Sequence, residues 1–284
     1  MYYNLIYENV LGDIVQFGSD DLKLNKFEGF GDVAADVQLQ RAPYQDGSTH
    51  IDSVLEERPI YIEFTMRAES FEELAVMRRQ LGRVFNPKIK GKLTITYAGE
   101  DYEIDCVSEH VPFFPDSGTD AIGNLQIGSI DLLAPNPYWR STSITEEPAF
   151  EPLFEFPFDD LDGLEMGIQR AQRIITNDGD APAPLQVDFY GPAQSPIIEN
   201  LRTGEFIRIN RSLKENETFR IDTGKGTLFY VDGQGAELNV YHWIDTDSSF
   251  FKLALGDNEI TCHCAISNNQ KDFDIRYHKL YVAI

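Results

Sequence analysis

Basic side chains are scarce in this chain. Its 284 residues carry 24 Lys and Arg against 47 Asp and Glu, a net charge of −23. The deficit is even along the chain: Met1–Arg140 holds 12 basic and 23 acidic residues, and Ser141–Ile284 holds 12 and 24. Neither half can neutralise a run of phosphates, so nucleic-acid binding is not expected, and an anionic membrane should repel both. Acidity of this degree keeps a protein soluble. Cysteine is also rare. Three thiols, an odd number, are too few for a disulfide framework. Cys106 falls on the inward face of a strand. Cys262 and Cys264 share a face of another, with α-carbons roughly 6.6 Å apart, near the limit for a bridge. Buried free thiols are expected, as suits synthesis in a reducing cytoplasm. No apolar run approaches the roughly 20 residues of a membrane span. The first basic residue is Lys23, so no charged region opens the chain and no secretory signal is expected.

Catalytic signatures are missing too. The serines lack a nucleophile elbow, and "GKGT" at Gly224 lacks the rest of a phosphate-binding loop. Of His50, His110, His242, His263 and His278, only His263 lies near cysteines, and on a strand it would face away from Cys262 and Cys264. Close acids occur at Asp178/Asp180, Asp159/Asp160/Asp162 and Asp245/Asp247, but none closes a twelve-residue calcium loop. With 47 acids in the chain such pairs arise by chance, and turn or surface roles are expected. No catalysis, cofactor or metal is implied. Trp139, Trp243 and the many Tyr and Phe fall mostly in the apolar phase of strands, as core packing requires.

What is present is clearest from Arg58 to Val107. Ile60, Ile62, Phe64 and Met66 alternate with polar neighbours, the period of a half-buried strand. Ser70 and Glu73 have capping-box spacing, and Phe71, Leu74, Met77, Leu81 and Phe85 form one helical stripe. Asn86-Pro87 ends the helix. Leu93, Ile95 and Tyr97, then Tyr102, Ile104 and Cys106, make a hairpin about Ala98–Asp101. A helix laid on an antiparallel sheet buries both apolar faces.

Around this unit the chain reads as mainly β. Residues 1–140 form an α+β domain of antiparallel sheet with one helix and a long arm, and Met1–Phe30 supplies its first strands. Gly31–Glu57 is a long excursion with weak period-2 patterning around Val33–Leu39 and a polar tip. Excursions of that length are functional or disordered. In "LQIGSIDLLA" the inward face is ambiguous. Residues 141–173 connect, with Pro148, Pro152 and Pro157 among Phe150, Phe154, Phe156 and Phe158. That segment is too apolar for a free linker and should pack its aromatics on a domain. Residues 174–284 carry ten strand-like runs separated by turn signals, among them "AELNVYHW" and "SFFKLALG", which argues for a β-sandwich or jelly roll.

The order "RPI…F…E…R…L…NPK…G.L…Y.GE.Y.I", followed by "PNPYW", resembles the amino-terminal domain of the siphophage distal tail proteins, the Dit family. "TNDGDAPAPLQVDFYG…P.I.N..TGE.I.IN…E…IDT..G" resembles their galectin-like carboxy-terminal domain. The resemblance implies a non-enzymatic virion component at the tail tip, made in the bacterial host cytoplasm. Six copies would form a ring around the channel, joining the tail tube protein to the baseplate hub (tail-associated) protein and the receptor-binding proteins. The arm would correspond to a protruding hairpin that reaches the next subunit. A sugar-binding sandwich is the alternative, and a glycoside hydrolase using two carboxylates is a more remote one.

One local feature departs from the acidic background. Arg78, Arg79, Arg83, Lys88, Lys90 and Lys92 form a basic island with no acid between Arg78 and Lys92. Arg83 suits the helix macrodipole, but Lys88, Lys90 and Lys92 lie beyond its reach. The island is a candidate subunit interface, docking on an acidic surface of the next copy or of a tail partner.

Overall fold

A computed structural model describes residues 4–115, 121–147, 150–151, 168–169, 172–264 and 273–284. The chain is mainly β and divides into two units: Met1–Thr142 with Tyr281–Ile284, and Ser143–Leu280.

The first unit contains β1 (Asn4–Asn9), β2 (Ile14–Phe17), β3 (Leu22–Glu28), β4 (Ala35–Gln40), β5 (Thr49–Leu55), β6 (Arg58–Arg67), α1 (Phe71–Val84), β7 (Lys90–Tyr97), β8 (Glu100–Ser108), β9 (Ala121–Ile122), β10 (Leu125–Ala134) and β11 (Trp139–Ser141). Its main sheet runs β2-β1-β7-β8-β10-β6-β3. Leu5, Tyr7, Ile60, Ile62, Phe64, Met66, Leu93, Ile95 and Ile104 point into one core. The face of β10 that the sequence left open is settled by pairing. Ile130 stands opposite Ile62 and Leu132 opposite Ile60, so the even-numbered residues turn inward. β7 and β8 join through Ala98 and Gly99, both at positive φ (53° and 92°), the type I′ turn whose twist matches a hairpin. Gly91 is needed for a close approach: a Cβ there would lie 2.3 Å from the Tyr7 ring.

The Ser70 hydroxyl accepts from Glu73 N–H at 3.1 Å and so caps α1. The Glu73 carboxylate accepts from Glu69 N–H at 2.7 Å, one residue before the reciprocal bond of a capping box. Leu74, Leu81, Val84 and Phe85 are buried, but Phe71 is 65 % exposed, which corrects its place on the expected stripe. The helix is anchored at its end, where Phe85 stacks on Tyr7 at 4.3 Å, and its first turn leaves Phe71 in solvent.

Arg58 is fully buried, and among the described residues its hydrogen-bond partners are carbonyls. It donates to Pro137 (2.7 Å), Gly29 (2.9 Å), Gly31 (3.1 Å) and Val282 (2.5 Å). Burial without a carboxylate lowers its pKa to about 10. Trp139 Nε1 donates to the same Gly29 carbonyl. This latch accounts for a departure from the sequence reading, which gave all of 174–284 to the second domain. Tyr281–Ile284 cluster with the first unit, held by Arg58, by Ile284 N–H on Phe30 O and by Tyr281 against Tyr102.

In the second unit one sheet runs Thr145–Glu147, Phe273–Tyr277, Leu185–Tyr190, Thr218–Asp222, Thr227–Val231, Glu237–Asn239. The other runs Gln172–Asn177, Gly256–Cys264, Pro196–Asn200, Glu205–Arg208. Their inner faces share one core that includes Val187, Phe189, Phe219, Ile198, Ile260 and Cys262, the arrangement of a β-sandwich. Two expected strands differ. After Asn239 accepts from Tyr241 N–H, Tyr241–Trp243 form a turn of 3-10 helix. Among the described residues Ser249–Leu255 joins no ladder except where Leu253 bridges Ala183, although Phe251 and Leu253 fill the core. Of the aromatic connection, Phe154, Phe156 and Phe158 lie outside the described residues.

Candidate functional site

Three of the six cations in the basic island have partners within the chain. Arg78 bonds the Gln126 side-chain oxygen and lies 5.7 Å from the centre of the Phe114 ring. Arg83 pairs with Asp13 at 3.1 Å. Lys92 meets Glu103 at 3.0 Å, and Arg140 clamps Glu103 and Asp105 beside it. Only the side chains of Arg79, Lys88 and Lys90 are both exposed and without a partner among the described residues. Sequence proximity marked six cations, and three are free to meet another molecule.

Close to them is a feature the sequence reading passed over. The turn from Asn9 to Asp13 presents Val10 and Leu11 at 72 % and 68 % exposure. It is rigid. Buried Asn9 accepts from Leu11 and Asp13 N–H, both at 3.0 Å, and donates to Val84 O at the end of α1. Val10 N–H donates to Lys90 O. Between this turn and Pro135-Asn136 runs a groove of about 760 Å³, lined also by Glu8, Gly91, Lys92, Asp105 and Val107. The available signal was "NVLGD", two aliphatics in a glycine turn where polar residues are usual.

The Gly31–Glu57 excursion is a hairpin. Among the described residues β4 and β5 pair only with each other, and nearly every residue of both is exposed. Ala35, Val37 and Leu39 share one face. A bulge sets Ile51 and His50 together against Leu39. Leu39 and Ile51 are 58 % and 59 % exposed. The opposite face carries Asp36, Gln38, Gln40 and Asp52, with exposed Val54 across from Asp36. At the tip, Gln45 ties Ala42 and Thr49, and Tyr44 is held at φ 65° in full exposure.

The other candidates resolve locally. Asp178 pairs with Lys279 at 2.8 Å, and Asp245 accepts from Asn210 at 3.0 Å. Asp159, Asp160 and Asp162 lie outside the described residues. All three cysteines are buried free thiols, and burial pushes the Cys106 thiol up to about 12. Among the described residues no three His, Cys, Asp or Glu gather as a metal site, and no helix is long and apolar enough to cross a membrane. Trp139 is in the core, and Trp243 packs against Phe219 and Tyr230. Tyr241 is exposed and stacks on Phe250.

Residues 12–130 match the family described as phage tail protein RIFT-related domain, and residues 178–281 match the siphovirus-type tail component, C-terminal domain. Among solved structures the chain is similar to the SPP1 Dit (gp 19.1) protein, described as a paradigm of the hub adsorption apparatus in phages infecting Gram-positive bacteria. The TM-score is 0.67 at 9 % identity, over 99 % of both chains. It is also similar to chains of the phage p2 baseplate in its activated conformation, with Ca and with Sr. For these the TM-score is 0.59, at 9 % and 8 % identity, over 100 % of each chain. At such identities the likeness carries the fold. No curated protein matches the sequence.

Proposed function

The chain belongs to the siphophage distal tail protein family, a family of phage tail components, and from that premise we propose that it forms a hexameric ring at the tail tip. The ring joins the tail tube protein to the baseplate hub protein and to the receptor-binding proteins, and it works by assembly, without catalysis. The first unit builds the ring around the channel. The observation that carries this reading is the arm. Two strands alone are marginally stable in water, and an aliphatic stripe left bare on them calls for a second surface. A closed ring offers that surface in every copy, since a head-to-tail interface joins two different patches of one protein. The lumen of such a ring is acidic or neutral, so DNA passes without adhering. Sedimentation at high protein concentration should give a hexamer, and negative-stain images of tails should show it at the tip. A monomer at every concentration, with no ring in tail particles, overturns the proposal.

A second reading has one observation in its favour. Exposed Tyr241, parallel to Phe250 at 6.1 Å, is a surface on which a sugar ring could stack. Retention of the full chain on host cell-wall glycan, lost in Tyr241→Ala, would support it. Equal retention of both proteins would remove it.

A further inference from the structure

We infer that the Asp46-Gly47 step at the tip of the arm is a site of spontaneous covalent modification, where the folded chain converts aspartate to isoaspartate.

The sequence holds four Asp-Gly steps, at Asp46, Asp162, Asp178 and Asp232. Glycine is the follower that permits the reaction, because it has no Cβ to keep its amide nitrogen away from the carboxyl carbon before it. Sequence alone therefore ranks the four alike. Asp162 lies outside the described residues. The fold separates the other three.

Asp46 and Gly47 are both exposed. Among the described residues the Asp46 carboxylate has no hydrogen-bond or ion-pair partner, and Gly47 N–H donates to nothing. A Cβ placed on Gly47 would meet nothing within 4 Å, so the step has room to turn. Loop tips of this kind are where a chain is most open to chemical attack. The two steps of the second unit are held instead. Gly179 N–H donates to the Asn177 side-chain oxygen at 3.1 Å, and Asp178 meets Lys279 Nζ at 2.8 Å. Asp232 Oδ1 accepts from Gln234 and Ala236 N–H, both at 2.9 Å, which fixes the carboxylate over residues beyond Gly233. Lys279 beside Asp178, and the Ala236 and Gln234 N–H groups on Asp232, hold both carboxyls below the usual carboxylate range. That keeps them in the ionised form, which is slow to lose water.

At Asp46 the Gly47 nitrogen attacks the side-chain carboxyl carbon. The N–Cγ bond forms, and the amide proton leaves with the carboxyl hydroxyl as water, giving a succinimide. Water then opens this ring at one of its two carbonyls. Opening at Cγ restores aspartate. Opening at the α-carbonyl leaves the chain running through the side chain, which is isoaspartate. Nothing is oxidised or reduced, and water is the only reagent. The product keeps its negative charge and adds a carbon to the backbone. The addition falls inside the loop that Gln45 closes by accepting from Ala42 N–H and donating to Thr49 Oγ1. The arm's tip therefore changes shape with age while its strands keep their residues.

The test is to age the full chain in mildly acidic buffer, digest it, and locate isoaspartate by electron-transfer fragmentation of the peptides. Isoaspartate should accumulate at Asp46 several-fold faster than at Asp178 or Asp232. In urea, which removes the contacts that hold the other two, the three rates should converge. Equal rates at the three sites of the folded chain overturn the proposal. So does a folded chain in which Asp46 stays aspartate while the urea-unfolded chain isomerises there, since the tip would then be protected by the fold.

Discussion

Two antiparallel strand pairs of the first unit invite comparison: β6 with β10, and β4 with β5. β6 and β4 each alternate apolar and polar residues, and each is hydrogen-bonded to an antiparallel partner, β4 across a bulge. In β6 the apolar phase, Ile60 to Met66, is buried. In the arm the equivalent phase is open to solvent. Local pattern makes a strand, and the neighbour across its apolar face decides what that strand is for. Where the cover lies within the chain the residues hold the fold. Where it does not, they are available to another molecule.

Phe64 should show the largest effect. Phe64→Ala empties the centre of the core and should cost about 3–5 kcal/mol in urea unfolding. Arg58→Met comes next. It strands the Pro137, Gly29, Gly31 and Val282 carbonyls and should cost about 1–3 kcal/mol. Exchange protection at Ile284 N–H should fall in the same variant, and unchanged protection would deny the latch. The arm should behave oppositely. Leu39→Ser with Ile51→Ser should leave unfolding within about 0.5 kcal/mol of wild type while abolishing assembly. Loss of stability without loss of assembly would mean that the arm's aliphatics serve the fold of the monomer. Arg79→Glu with Lys90→Glu should weaken assembly and leave the monomer folded, and rising salt should weaken the wild-type contact as well.

The smallest effect belongs to His110. Its bond to Val111 O, and then Asp131 at 2.9 Å, raise its pKa. A raised folded pKa gives stability that is complete below the unfolded value of about 6.5 and is lost as pH rises through the folded one. The ring is half exposed, so the change is slight. It should be read by NMR titration, where Asp131→Asn brings the His110 midpoint down.

The β6-α1-β7-β8 order, the Ser70 cap, the hairpin at Ala98-Gly99 and the buried thiols were all legible in the residues. They depend on periods, caps and turn chemistry that act over a few positions. The family was legible too, because its pattern runs through both units. The sites were less so. The island looked like one surface in sequence, yet Arg78, Arg83 and Lys92 are taken up by Gln126, Asp13 and Glu103. Those partners lie 48, 70 and 11 residues away, beyond any local signal.

By itself, then, the sequence determined where strands and the helix form, since 2- and 3.6-residue periods are properties of the local chain. It also determined that the chain is acidic throughout, which follows from composition. Only the tertiary structure decided which face of β10 turns inward, that Arg58 draws Val282 and the last residues to the first unit, and which cations remain free. Each of these depends on groups brought together from distant positions, where burial and pairing are settled by what stands opposite.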